Sequence, residues 1–201
     1  MVLANKLNIT NQIELNKAKE KISKQKAKQL FESGDINQIE IGTFKGLAEI
    51  HTYLFSDIYE FAGNIRDVNI AKGSFRFAPL MYLSQSLNYI DKMPQNNFDK
   101  IIEKYVEMNV AHPFREGNGR ATRIWLDLIL KKELQQVIDW NLVDKDDYLS
   151  SMARSVVKDI EIKQLLQQAL TSKINDRTIF MKGIDISYYY EGYSQFTTEN
   201  L

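Results

Sequence analysis

Apolar residues recur at helical spacing along most of this chain. Phe98, Ile101, Ile102, Tyr105, Met108 and Val110 mark one helix, and Pro113 disfavours helix at His112, so that helix should stop there. Beyond a short turn, Ala121, Ile124, Trp125, Leu128 and Ile129 fall at i, i+3, i+4, i+7 and i+8, the pattern of an amphipathic helix facing a core, with Asn118 as its N-cap or just before it. Similar periodicity predicts helices over about 12–33 (ended by Gly34), 43–59, 80–92, 144–157 and 159–172, with a short one near 175–181. Only 66–77 breaks the pattern: apolar and polar residues alternate on both sides of Lys72, Gly73 and Ser74, which predicts a β-hairpin. The expected fold is therefore all-α with one β-hairpin. No repeat, low-complexity linker or domain boundary is evident among the 201 residues, which suffice for one domain over 1–201 with a sizeable core.

Charge and composition narrow the function. Lys plus Arg and Asp plus Glu both number 26, a balance that gives no reason to expect a direct nucleic-acid or membrane partner. The basic run from Lys17 to Lys28 is spaced by Glu and Gln and reads as a solvated face. With no cysteine there is no disulfide, thiol or zinc-thiolate chemistry. No apolar signal core opens the chain and no run approaches a membrane span, so a soluble, cytoplasmic protein is expected, unless a partner exports it. Abundant Lys, Asn, Gln and Ile suggest an AT-rich bacterial genome.

The chemistry is concentrated in residues 112–123, His-Pro-Phe-Arg-Glu-Gly-Asn-Gly-Arg-Ala-Thr-Arg. Gly117 and Gly119 let the loop turn its N–H groups inward, and a helix N-terminus with free N–H groups is an anion site. Arg120 and Arg123 stand in the first turn of the new helix, where the dipole disfavours cations. Two arginines there make sense for gripping a polyanion through paired hydrogen bonds; the plainer alternative pairs Arg123 with Asp127 and leaves Arg120 solvated. His112 is one of only two histidines, and a neutral imidazole suits a base acting on a hydroxyl. His51, in the middle of a helix with no carboxylate or glycine turn beside it, reads as structural.

This segment matches the Fic motif, His-x-Phe-x-[Asp/Glu]-Gly-Asn-Gly-Arg-x-x-Arg, at every fixed position, and about residues 40–192 resemble that family. The resemblance implies transfer of AMP from ATP to a hydroxyl side chain of a target protein, with ATP as substrate and Mg2+ (or Mn2+) as cofactor. It implies His112 as general base, Phe114 as apolar anchor and Glu116 as the residue holding the metal. Gly117, Asn118 and Gly119 would form the anion hole, and Arg120 and Arg123 would bind the triphosphate. The hairpin, with Ile70, Ala71, Lys72, Gly73, Ser74 and Phe75, resembles the family's flap, which pairs with an extended segment of the target.

Near the C-terminus, Ser187 to Gly192 fits the family's inhibitory pattern [Ser/Thr]-x-x-x-Glu-[Gly/Asn]. The resemblance implies a domain core over about 40–182 and an inhibitory helix at about 185–192. There Ser187 and Glu191 share a face and Glu191 pairs with Arg123, excluding the γ-phosphate. Gly192 can end that helix. Tyr188, beside Tyr189 and Tyr190, is the expected site of self-modification if the helix detaches. Asn141 and Tyr148 lie where the family supplies purine contacts, although core packing is the more usual role of such residues. Alternatives of other classes are an enzyme that removes AMP or transfers another phosphate-containing moiety, a non-catalytic nucleotide-sensing module, and a helical interaction protein. The partner beyond ATP is the target protein, for which similar small bacterial proteins suggest a type II topoisomerase subunit; the sequence leaves open whether a second copy of the chain joins it in a homo-oligomer.

Overall fold

The structure, a computed structural model, describes residues 2–73 and 75–201. Among them, eight α-helices and two small two-stranded sheets are present. Helix α1 spans Gln12–Glu32 and is opened by Asn11, whose side chain accepts hydrogen bonds from Ile13 and Glu14. Helix α2, Phe44–Phe55, is capped by Thr43. Strands β1 (Ala71–Lys72) and β2 (Phe75–Arg76) pair antiparallel, Ala71 opposite Arg76 and Lys72 opposite Phe75. Helices α3 (Leu80–Lys92) and α4 (Phe98–Ala111) follow, α4 capped by Asn97. Helix α5, Asn118–Leu134, runs through the centre against α2 and α4 and buries Ala121, Ile124, Trp125, Leu126, Leu128, Ile129 and Leu130. Burial of this stripe on both sides is what fixes the N-terminus of α5 in space.

The remaining elements are β3 (Val137–Ile138), α6 (Lys145–Arg154), α7 (Ile160–Gln168), β4 (Leu170–Thr171) and α8 (Arg177–Tyr190). The helical reading of the sequence holds for α1, α3 and α4 almost to the residue; α2 stops earlier than expected, at Phe55. Two differences have clear causes. The end of the predicted 159–172 helix is instead β4, which pairs antiparallel with β3. Asp127 of α5 stabilises that pair, accepting hydrogen bonds from the Ile138 N–H and the Trp140 indole N–H, both at 2.9 Å. Secondly, no separate helix covers 185–192. Helix α8 is continuous through Gly183, whose missing Cβ admits the Trp140 ring; an added Cβ would stand 3.1 Å from its Cδ1.

The basic face of α1 is also a correction. Lys19, Glu20 and Lys24 are only 4%, 1% and 1% exposed, because α8 and the C-terminal segment lie across them. Lys24 bonds the Phe196 carbonyl and pairs with Glu20 and Asp185, while Glu20 accepts from the Gln195 and Phe196 N–H groups. The buried charges of Glu20 and Lys24 are tolerated because the two are paired with each other and hydrogen-bonded to the chain. Among the described residues no helix is long and apolar enough to cross a membrane.

Candidate active site

The loop between α4 and α5 is shaped by three local devices. Helix α4 ends at His112 in the left-handed conformation, φ 47° and ψ 62°, which turns the chain sharply. Gly117 precedes α5 at φ 81°, and a Cβ there would collide with the Phe55 ring. Asn118 is not the N-cap. Gly117 takes that position, and the Asn118 side chain turns inward, accepting from the Phe114 N–H at 2.9 Å and donating to the Phe114 carbonyl at 2.8 Å. This pair of hydrogen bonds to the Phe114 backbone closes the loop. Phe114 is buried, stacked on His51 with ring centroids 3.9 Å apart.

His51 supports the same loop from α2. Its Nδ1 accepts from the Gly63 N–H at 2.9 Å, which leaves Nε2 to donate to the Glu116 carbonyl at 2.8 Å. Burial, and then the charge of Arg120, pull its pKa down to about 3, so it stays neutral. Arg66 supports His112 in turn. Its guanidinium donates to the carbonyls of His112 (2.8 Å), Val68 (2.6 Å), Ala78 (2.5 Å) and Ala111 (3.2 Å). The backbone of residue 112 and the base of the hairpin are thereby fastened to one buried side chain. Neither role had a signature in the sequence: Arg66 is one arginine among many until folding buries it.

These supports leave a cleft of about 500 Å3, within the range of small-molecule sites. His112, Glu116, Gly117, Asn118, Gly119, Arg120, Arg123 and Tyr148 all line it, and so do Ile70, Ala71, Lys72 and Phe75 of the hairpin and Glu191. The motif and the C-terminal pattern, distant in sequence, thus face one space. The His112 ring stacks under Phe77 with centroids 3.6 Å apart. Its Nδ1 makes no hydrogen bond of ordinary geometry, and burial lowers its pKa to about 4, so the ring is a neutral imidazole at neutral pH.

The arginines take neither of the plainer roles. Arg120 is 2% exposed, caged by the rings of Phe55, Tyr188 and Tyr193, and paired with Glu116. Its Nε and Nη1 have no hydrogen-bond partner, which leaves donor capacity at the cleft wall. Arg123 ignores Asp127. Its Nε donates to the Ser187 hydroxyl (2.7 Å) and its Nη1 to the Tyr148 hydroxyl (3.3 Å). Its Nη2 donates to the Ser187 carbonyl and to Glu191 Oε1, both at 3.0 Å. Burial would raise the pKa of Glu191, but Arg123, Arg120 and Lys72 outweigh it and hold the carboxyl at about 2. Its Oε2 lies 3.9 Å from Lys72 Nζ. Gly192, at φ 87°, follows α8 and turns the chain away.

Glu116 brings one carboxylate to the wall, with Oε1 on Arg120. Its Oε2 has no hydrogen bond, although Lys19 Nζ approaches to 3.5 Å. Burial first, and Arg120 second, lower the Lys19 pKa to about 7, against the pull of Glu191. Among the described residues no cluster of three or more His, Asp or Glu side chains could hold a metal by itself.

One sequence expectation does not fit the geometry, and another concerns a detached α8 rather than this docked one. Asn141 is exposed on the turn Trp140–Leu142, hydrogen-bonded to Asp139, and absent from the cleft lining. Tyr188 is 1% exposed and its hydroxyl donates to Ser23 of α1, away from His112, because α8 packs that side inward. Tyr190 is buried on the Val143 carbonyl, and only Tyr189 is exposed. Ser74 of the hairpin lies outside the described residues.

Comparison with known proteins agrees with this geometry. Residues 43–130 match the model of the Fic/DOC family. A probable protein adenylyltransferase of Sinorhizobium fredii is 26% identical over 171 residues, covering 79% of this chain and 85% of that protein. A probable protein adenylyltransferase Fic of Escherichia coli is 25% identical over 190 residues, covering 87% of this chain and 90% of that one. The crystal structure of the BepC effector of Bartonella tribocorum with bound AMPPNP superposes with a TM-score of 0.68 at 17% identity, over 85% of this chain and 93% of that one. Motif, loop geometry and these matches lead to one conclusion: residues 43–130 of the chain belong to the Fic/DOC family.

Proposed function

We propose that this protein is a protein adenylyltransferase, moving AMP from ATP to a hydroxyl of a target protein, and that Glu191 holds it inactive. The observation that carries the reading is the cleft shared by His112, the α5 N-terminus, Arg120, Arg123 and Glu191. Relatives over most of the chain are named protein adenylyltransferases, and the matching BepC structure carries an ATP analogue.

In this reading the triphosphate lies across the Gly117–Gly119 N–H groups, with Arg120 and Arg123 on its oxygens. Tyr148, on the cleft wall beside Arg123, remains a candidate nucleotide contact. The target hydroxyl attacks the α-phosphorus. The new P–O bond forms as the bond to the β-phosphate oxygen breaks, pyrophosphate leaves with the electron pair, and the hydroxyl proton passes to the His112 imidazole. A bound polyanion would raise the basicity of that ring from its low value in the present state. Backbone dipoles and arginines stabilise the charge that develops on the transferring group. Glu116 fits a magnesium ligand, since its Oε2 has no hydrogen bond and this ion commonly takes a single carboxylate plus phosphates and water. Bound there, the ion would neutralise phosphate charge. The exposed β1–β2 edge suits main-chain pairing with an extended target segment; a type II topoisomerase subunit is the candidate target.

The test is incubation with labelled ATP, GTP and CDP-alcohol donors, with wild type and Glu191→Gly. Label transfer to protein from ATP alone, increased in the variant, supports the reading. Transfer from another donor, or none from any, overturns it.

A further inference from the structure

Helix α1 lies outside residues 43–130, which match the family model, yet it sends one side chain to the loop carboxylate. Lys19 is 4% exposed, its Nζ 3.5 Å from Glu116 Oε2 and 4.9 Å from the Tyr193 ring centroid. It does not line the cleft, so it approaches Glu116 from behind. Arg120 grips the other oxygen. Glu116, the carboxylate read as the metal ligand, is therefore held between two buried basic side chains. Only Arg120 is also on the cleft wall, where phosphate would draw it off the carboxylate; Lys19 stays behind.

We infer that Lys19 is a positioning residue that sets the metal affinity of Glu116 by competing, as a fixed cation, for its carboxylate. The inference rests on Glu116 as the metal-holding residue. A cation at Oε2 neutralises the carboxylate and repels a second cation, so metal is held well only once nucleotide phosphates add their own charge. This couples metal retention to nucleotide binding with no dedicated metal cage, in keeping with the absence of any such cluster among the described residues. The lysine is invisible to motif reading because it sits in a run of basic residues, of which Lys17 and Lys21 face water.

The test measures Mn2+ affinity by electron paramagnetic resonance for the protein bound to a non-hydrolysable ATP analogue. Lys19→Met and Lys19→Gln should bind Mn2+ about five- to tenfold more tightly than wild type, and Lys19→Arg within about twofold of it. Lost packing can only loosen a site, so tightening separates this role from a structural one; Lys19→Gln serves if Lys19→Met fails to fold. A folded neutral variant with unchanged or weaker Mn2+ affinity overturns the inference. Glu116→Ala is the separate control: if it leaves Mn2+ affinity unchanged, the metal reading of Glu116 itself fails.

Discussion

Arg123 Nη2 stands 3.0 Å from Glu191 Oε1, joining the second turn of α5 to the C-cap residue of α8. In the proposed reading the carboxylate takes the place of a terminal phosphate on the arginine, with Lys72 of the hairpin on its far side. A charge-assisted hydrogen bond of this kind is worth about 1.5–3 kcal/mol, and each 1.4 kcal/mol is a factor of about ten. Glu191→Gly should therefore raise AMP transfer by roughly one to two orders of magnitude. Arg123→Ala should not activate, and the double variant should behave like Arg123→Ala, the non-additivity of a shared contact. Rates of all four proteins at matched concentration check this; an unchanged rate for Glu191→Gly ends the autoinhibition reading.

His112→Ala should abolish transfer and leave ATP affinity largely intact, since the phosphate-facing groups are others. Turnover and calorimetric affinity on the same preparation decide it, and turnover near wild type would remove His112 from the mechanism.

Arg66→Met should damage activity without touching the nucleotide. Its guanidinium holds the carbonyls of residues 112, 68, 78 and 111. Losing it leaves buried acceptors unsatisfied, at about 1–3 kcal/mol of stability for each. A lower melting temperature with a reduced kcat and a near-normal ATP affinity is expected; an unaffected kcat would show that the His112 backbone needs no such anchor.

Acid should destabilise the fold through His51. Its folded pKa is about 3 against an ordinary 6.5, so between those values the unfolded chain binds the extra proton. The stability it contributes is complete above about pH 6.5 and falls away towards pH 3. Buried Asp127 works the other way, its pKa raised to about 7 by burial, so the comparison must isolate the histidine. His51→Gln should flatten the loss of melting temperature between neutral pH and pH 4 relative to wild type; parallel curves would contradict it.

Transfer should require magnesium or manganese, and Glu116→Ala should weaken metal-dependent nucleotide binding. Full activity in excess chelator would remove the ion from the reaction.

The sequence by itself determined whatever is encoded within a few residues. Asn11, Thr43, Asn97 and Asp144 cap their helices, and such a cap is local because it bonds an N–H two or three positions on. Pro113 stops α4 at His112, the glycines make the loop, and the apolar stripe of α5 aims its N-terminus at the loop's contents. So the motif from His112 to Arg123 was legible as a site. Tertiary structure decided where equivalent side chains went. Asn118 closes the loop rather than capping α5, because Phe114 presents both backbone groups to it. Lys19 and Lys24 are buried where their neighbours are solvated, since α8 and the chain end cross only that face of α1. Asn141 falls outside the cleft on an exposed turn held by Asp139, and Tyr188 turns from it because packing of α8 on α1 fixes the rotation of that helix. The strands β3 and β4 pair across more than thirty residues of sequence, a contact no local pattern announces. Periodicity specifies that a face is buried; which charged groups meet behind it depends on the elements that cover it, and those are joined only in the folded chain.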